Sequence, residues 1–549
     1  MRGNARWLTA LATLFAACAA LPVLAIVTRG LAPGTGATWT HLANTVLPGY
    51  VANTLALLVL VALGAAVGGT VSGWLIARRR FPGSGFLEWA LMLPLAMPSY
   101  VMAYAYTDFL QYAGPLQTAL RAMFGWSRQD YWFPDVRSLG GAATMFVFAL
   151  YPYVYLLART AFIERPPALM EAARTLGLDR RQAFWRVELP LARPAIAAGT
   201  ALVLMETLAD YGTVAYFAVD TFTTGIYRAW FSLGDRAAAA QLATALLAFV
   251  ILAVALERAS RGARRTSGGP RGKQASRFAP ARLTGLRGWG ATVLCAIPLL
   301  VGFVIPGALL LRLLFADTQV VLTDHFLGWA WNSLRVALLA SVLAVAVATL
   351  VAYAARLRPG AVTRVGSRVL TLGYAVPGTV LAVGVLLPLG ALDNWLADVL
   401  HGEGAQRPGL LLTGTVFALV YAYLVRYFAV AWNSIEPAFA RITPAMDAAA
   451  RGLGAGVVGT LVRVHAPLLG RSAAAALLLV FVDVMKELPA TLVLRPFNFN
   501  TLATQAYMLA KDERLAEAAL PSLAIVVVGL VPLLTLARMA RRGPPVRAG

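Results

Sequence analysis

Residues 171–196 read EAARTLGLDRRQAFWRVELPLARPAI. The stretch is polar and charged, yet it lies between two apolar runs, and a related stretch, AAARGLG, begins at residue 448. The rest of the chain explains the contrast. Over 549 residues it is 59% hydrophobic and only 13% charged, with a mean hydropathy of +0.70. A soluble protein of this size carries about 25% charged residues, so composition places the chain in a membrane. The formal net charge is +22. Its basic residues cluster in short breaks between apolar runs, which points to topology signals rather than to nucleic acid.

Twelve apolar runs are long enough to span. Six lie near 7–28, 51–77, 87–111, 141–163, 192–217 and 237–257, and six near 289–315, 330–355, 367–390, 410–432, 470–494 and 517–538. The first imitates a signal peptide, with Arg2 and Arg6 before it and Cys18 within it, but Trp7 to Val27 is long enough to cross and is read as a transmembrane helix. Arginines follow spans two, four, six and eight and end the chain, whereas alternate loops such as ADTQVVLTDHFLG carry acids. The positive-inside rule then places both termini and every even-numbered loop in the cytoplasm.

The basic, Gly/Ser/Pro-rich segment 258–287 divides the chain into a first domain, 1–257, and a second, 288–549. The halves resemble each other: VANTLALL at 51 with WNSLRVALL at 331, and LAMPSYVMA around Pro98 with YAVPGTVLA around Pro377. EAARTLG at 171 matches AAARGLG at 448, a shift of 277 residues. At that shift Pro190 falls on Pro467, Glu206 on Asp483, Asp210 on Glu487 and Thr224 on Thr501, which argues for duplication. Six spans per half is an even number, so both halves enter the membrane in the same direction. This disfavours inverted-repeat carriers and suggests a pathway between two parallel halves.

The opening stretch is therefore the cytoplasmic loop between spans four and five. Pro166-Pro167 suits a helix start, Gly177 a helix stop, and Asp179 the cap of a second short helix, RRQAFWRVEL, with Pro190 and Pro194 resetting the chain before span five. In the second copy Thr443-Pro444 and Gly454 stand in the same places. A duplicated two-helix module reads as a docking element. Small residues (Ala172, Ala173, Ala449, Ala450) would admit a partner, and Glu171 offers a charge. The alternative is an amphipathic helix lying on lipid.

Glu171-Ala172-Ala173, Gly177 and Leu189-Pro190 together resemble the EAA loop of ABC-importer permeases. The resemblance extends over the whole chain as two fused six-span units, and TLADYGTVAYFAVDTFTTGIYRAWF and VDVMKELPATLVLRPFNFNTLATQAY are similar to fused ferric-iron permeases. It implies an all-α membrane protein with two parallel six-helix repeats of the type I importer fold. It also implies a cytoplasmic ATP-binding subunit dimer, an extracytoplasmic substrate-binding protein, and a place in a bacterial inner membrane. Thiamine permeases share the fused architecture. The ATPase-coupling residues carried over are Glu171, Ala172, Ala173 and Gly177, with Asp447, Ala448, Ala449 and Gly454 in the second copy. Ala448 occupies the glutamate position there. Asp447 cannot simply replace it, because one residue turns a side chain about 100° around a helix.

Spans five and eleven carry ionisable residues, which are costly in lipid and usually face a bundle interior or a water path. Glu206 and Asp210, like Asp483 and Glu487, are spaced i,i+4 on one helix face. Two readings stand: ion pairing involving Lys486, or a translocation pathway lined by Glu206, Asp210, Tyr211, Asp483, Lys486 and Glu487. Carboxylates and phenols, including Tyr216, Tyr100 and Tyr104, are hard oxygen ligands suited to a ferric ion. Permeation needs weak contacts, so no resident metal site or cofactor is expected. The sequence contains no G-x-x-x-x-G-K-[ST] phosphate loop and no Ser/His/Asp or Cys/His constellation, so the chain reads as a transport subunit, not an enzyme. A secondary carrier would account for the repeat but not the docking loops, and a membrane enzyme only for the buried charges.

Overall fold

A computed structural model describes residues 6–33, 36–164, 172–173, 175–262, 281–316, 324–400 and 409–541. These are helical almost throughout, with a single two-residue parallel ladder between Arg79–Arg80 and Ala281–Arg282. Among the described residues eleven helices are long and apolar enough to cross a membrane, and a twelfth span is made if the bent pair Ser84–Ala96 and Ser99–Phe124 counts as one. The protein is an all-α, multi-pass membrane protein. Only helices satisfy every backbone group in hydrocarbon without a closed sheet.

Several expected boundaries move, and prolines account for most of the movement. Span three is not continuous: its two parts meet at 90°. Pro98 holds an extended ψ of 140° between a 3-10 turn at Leu93–Ala96 and the helix Ser99–Leu110. The residue preceding a proline is pushed out of the helical region, and proline itself has no amide to offer. Pro377 acts alike, so span nine runs Gly378–Leu400 rather than 367–390, and Ala361–Leu372 is a separate amphipathic helix. Prolines 190 and 194 do not reset the chain. Helix runs from Arg181 through Ala209, widened to a π turn at Phe184–Glu188. Such a wide turn accommodates a residue that cannot join the regular bond ladder. An equivalent π turn occupies Leu461–His465, just before Pro467. Within the expected linker 258–287, span six continues to Gly262 and span seven begins at Gly285, and residues 263–280 lie outside the described residues. Leu283 N–H donates to the Arg80 carbonyl at 2.8 Å, extending the small ladder.

The chain forms two compact units that do not coincide with the sequence halves. One comprises residues 1–47, 225–247 and 321–508. Its core is the mutual packing of Asp324–Leu357, Val416–Ala440 and Ala466–Met485, and the first span, Arg6–Gly30, lies on Gly378–Leu400 and Ala361–Leu372. The other comprises 48–224, 248–320 and 509–549. There Leu139–Ile163 packs along Leu189–Ala209, and Ile305–Ala316 lies against Leu515–Arg541 and Ser99–Leu110. The first span of the chain is therefore held by elements of the second half, whereas span seven packs on elements of both halves. Lipid supplies no hydrophobic drive between helices, so these associations rest on close packing and hydrogen bonds. Tyr151 and Tyr155, for example, donate to the carbonyls of Leu91 and Glu88 at 2.9 and 2.7 Å.

Candidate functional site

The two loop modules have one geometry. In the first, Leu176 N–H donates to the Ala172 carbonyl at 3.0 Å and Leu178 N–H to that of Ala173 at 3.0 Å. In the second, 277 residues on, Leu453 donates to Ala449 and Ala455 to Ala450, again at 3.0 Å. Gly177 and Gly454 sit at φ of 82° and 81°, the left-handed stop that glycine adopts without strain. The expected register and helix stops are therefore observed. Asp179 Oδ1 accepts from Gln182 N–H at 2.7 Å and so caps the helical turn that begins at Arg180. Pro166, Pro167 and Glu171 lie outside the described residues.

Not every docking candidate faces outward. Ala172, Ala448 and Ala449 are exposed, but Ala173 and Ala450 are buried against the chain itself, so they cannot admit a partner. The exposed knobs are Leu176 and Leu453, 82% and 89% accessible. Asp447 turns inward as well. Its Oδ2 lies 2.9 Å from Arg356 Nε and its Oδ1 2.9 Å from His465 Nε2. The one-residue rotation read from the sequence has this physical result: Ala448, which the sequence aligns with Glu171, is exposed, and Asp447 faces the protein.

The π turns place a second pair of matched positions. Glu188 and His465, 277 apart, are both buried. Glu188 Oε1 is 3.0 Å from Arg78 Nε, and its Oε2 accepts from Trp74 Nε1 at 2.7 Å. Arg78 and Arg356 each lie near the end of their half's second span. In each repeat, then, one carboxylate meets one arginine beneath the loop module.

Within the spans, the acidic pairs divide into two kinds. Asp210 ends the helix Leu189–Ala209, with ψ at 142°, and caps the next short helix, Gly212–Tyr216. Its Oδ1 accepts from the N–H of Thr213 at 2.9 Å and of Val214 at 3.4 Å, and its Oδ2 from the hydroxyls of Ser99 and Thr213 at 3.0 and 3.1 Å. Glu487 does the same for Pro489–Leu494. It accepts from the N–H of Ala490 and Thr491 at 2.9 and 3.0 Å and from the Thr491 hydroxyl at 2.5 Å. These two carboxylates are thus tied to chain breaks, and Tyr211, Tyr216, Tyr100 and Tyr104 around the first break are buried. Glu206 and Asp483 remain half-exposed. Lys486 pairs with Asp483, at 2.9 Å, rather than with its neighbour Glu487.

The residues after the breaks correct the repeat register. Thr221 N–H donates to Thr224 Oγ1 at 2.8 Å, and Thr501 N–H to Thr504 Oγ1 at 2.9 Å. Asn53 Nδ2 donates to the Asp220 carbonyl at 2.9 Å, and Asn332 Nδ2 to that of Asn500 at 3.1 Å. Thr221 therefore corresponds to Thr501, and Thr224 to Thr504. The second repeat carries three additional residues between break and loop, which a constant shift could not reveal.

Comparison with known proteins agrees with this architecture. Residues 69–262 match the family described as the binding-protein-dependent transport system inner membrane component. This region is a permease domain of that family. The chain is 24% identical over 537 residues to the Fe(3+)-transport system permease protein FbpB 2 of Haemophilus influenzae, covering 97% of this chain and 98% of the relative. It is also 31% identical over 150 residues to the sulfate transport system permease protein CysT of Salmonella typhimurium, covering 27% of this chain and 51% of the relative. The molybdenum transport system permease protein ModB of Escherichia coli is 27% identical over 192 residues, covering 34% and 81%. The likeness to the Fe(3+)-transport permease spans both repeats of this chain.

Sequence reasoning passes over four residues of this permease. Glu188, Arg356 and His465 lie in polar loop stretches where charge is unremarkable, so nothing marks them as buried. Arg426 sits in span ten, where it is 7% accessible. A charge in an apolar run is itself a signal, and that signal is present in the sequence. A Cβ on Gly378 would come within 2.9 Å of both Arg426 Nη1 and Glu487 Oε1, so glycine is what lets these two charges converge.

Proposed function

We propose that this chain is the membrane subunit of an ATP-driven importer and that its substrate is ferric iron. The observation that carries the reading is the full-length similarity to an Fe(3+)-transport permease, 24% over 97% of the chain. The twin loop modules support the ATP-driven part. Ala172 in the first and Ala448 and Ala449 in the second face outward, each module exposes a leucine, Leu176 or Leu453, beside a left-handed glycine, and these are the surfaces a cytoplasmic ATP-binding subunit dimer would grip. The chain has no phosphate loop of its own, so hydrolysis falls to that separate subunit.

In this reading both termini and the loop modules lie on the cytoplasmic side of a bacterial inner membrane, embedded in lipid. A substrate-loaded binding protein docks on the opposite face. Closure of the ATPase dimer pulls on the loop helices, and the spans attached to them change the side to which the pathway opens. Glu206 and Asp483 offer half-exposed carboxylates to a passing cation, and Lys486, paired with Asp483, lines the same path and tempers its charge. Asp210 and Glu487 hold the breaks in spans five and eleven, with Tyr211 packed beside the first. Weak, shared contacts of this kind suit permeation better than a closed ligand set. The chain retains no cofactor and catalyses no reaction.

The test is uptake in a strain lacking this permease. Expression of the chain with its ATPase and binding protein should restore uptake of labelled ferric iron and leave labelled thiamine and sulfate unchanged. Restoration of thiamine or sulfate instead would replace the substrate, and uptake independent of ATP would remove the importer reading altogether.

A further inference from the structure

We propose that the helix Ala361–Leu372 is a binding surface for anionic phospholipid headgroups of the cytoplasmic leaflet, gripped by Arg364 and Arg368. The proposal takes its leaflet from the orientation given above and adds a lipid partner to it.

The two sides of this helix meet different surroundings. Thr363 and Leu370 are buried. The helix packs on span one, where a Cβ on Gly366 would stand 3.6 Å from the Cβ of Ala16. The other side is exposed and divided lengthwise. Arg364 and Arg368, one turn apart, share a stripe, and the exposed Val362, Val365 and Leu372 line the stripe beside it. A helix lying in a bilayer interface needs that division, with apolar side chains against acyl chains and cationic ones among headgroups. Its start is fixed. The Thr363 hydroxyl donates to the Arg358 carbonyl at 3.1 Å, and Gly360 N–H donates to Thr363 Oγ1 at 3.3 Å.

The charge of the surface is one-sided. No acidic residue occurs between Asp324 and Asp393, and none before Glu88, so neither this helix nor span one beneath it carries a carboxylate. Span ten, which also packs on the helix, brings one acid near its own end, the exposed Glu436. Arg358 adds a further base, while Arg356 is committed to Asp447. Guanidinium groups match phosphate oxygens in charge and in planar geometry. A topology signal alone would need only the number of bases in the loop. Here two of them stand i,i+4 on a helix, beside exposed valines. The matched helix of the first repeat, Ser84–Ala90, also leads through a 3-10 turn to the breaking proline, yet it contains no arginine, and its Glu88 pairs with Arg159. The lipid grip therefore belongs to the second repeat.

The test uses the permease purified with its ATPase in detergent and titrated with phosphatidylglycerol or phosphatidylcholine. Thermal unfolding and native mass spectrometry read stabilisation and retained lipid. Phosphatidylglycerol should stabilise the protein more and be retained in preference. Arg364→Gln with Arg368→Gln should cut that preference about fivefold for each arginine lost, whereas Arg364→Lys with Arg368→Lys should keep most of it. Should the double glutamine variant fail to accumulate, Arg368→Gln alone is read in the same way. Equal retention of the two lipids by wild-type protein would overturn the proposal, as would an unchanged preference in the glutamine variants. Release of the ATPase by those variants, with lipid preference intact, would mean that the arginines serve a protein partner and would overturn it too. None of these readouts uses ATP or iron, so failure of the importer reading would leave them unaltered. Labelling of Arg364→Cys, in a chain with Cys18→Ala and Cys295→Ala, by an impermeant maleimide added to intact spheroplasts would instead defeat the orientation on which the proposal stands.

Discussion

Asp210 and Glu487 do the same work in the two repeats with different neighbours. Each caps a short helix after a break in a span, and each accepts from the two amides three and four residues ahead. Asp210 also accepts a hydrogen bond from the Ser99 hydroxyl at 3.0 Å. At the matching place the second repeat has Gly378, and into the space it leaves come Arg426 and Glu487. Ser138 and Thr415 cap their helices 277 residues apart, which puts Ala149 at the position of Arg426. Duplication preserved the backbone device, a broken span capped by an acid. What surrounds the acid was free to diverge, from neutral hydroxyls to a buried guanidinium.

This difference can be broken at graded cost. Glu487→Leu should be the most damaging, because it removes a cap and takes a carboxylate from the neighbourhood of the buried Arg426; leaving a buried charged group less compensated costs about 1–3 kcal/mol or more beyond the cap. Asp210→Leu strands no charge and should cost about 1–2 kcal/mol, the worth of a cap. Thermal unfolding of the two purified variants in detergent checks this, and equal losses would erase the distinction between repeats. Next comes Gly378→Ser, which copies the first repeat into the second. The added Cβ would press on Arg426, Glu487 and Pro489, a misfit costing about 1–3 kcal/mol. That cost should shrink when Arg426→Ala is added, since the first repeat pairs serine with alanine; unfolding of the single and double variants measures it.

The smallest effects should be the most alike. Gly177→Ala and Gly454→Ala each force an alanine to a φ near 80°, at about 1–2 kcal/mol. Both should weaken co-purification of the ATPase. Unequal weakening would mean that the loop modules, matched in backbone, are not matched in use.

Much of the fold is legible in the residues alone. Apolar runs announce spans because bilayer thickness sets their length, and Gly177 and Gly454 announce helix ends because few residues tolerate the left-handed turn. The errors also have physical causes. Pro98 and Pro377 read as parts of continuous spans, although each breaks its helix, whereas Pro190 and Pro194 read as breaks that a π turn absorbs. Local sequence does not say which outcome wins, since neighbouring helices decide whether freed carbonyls can be satisfied. Ala173 and Ala450 read as docking surface because a short helix, taken alone, has no inside.

The sequence by itself determined the membrane class, the duplication and the loop modules, because these depend on composition, period and local stereochemistry. Only the tertiary structure decided that the first span packs on the second half, that Asp447 turns inward to Arg356 and His465, and that Asp210 and Glu487 cap breaks. Those outcomes depend on contacts between residues up to hundreds of positions apart, where packing and charge pairing, rather than propensity, choose the partner.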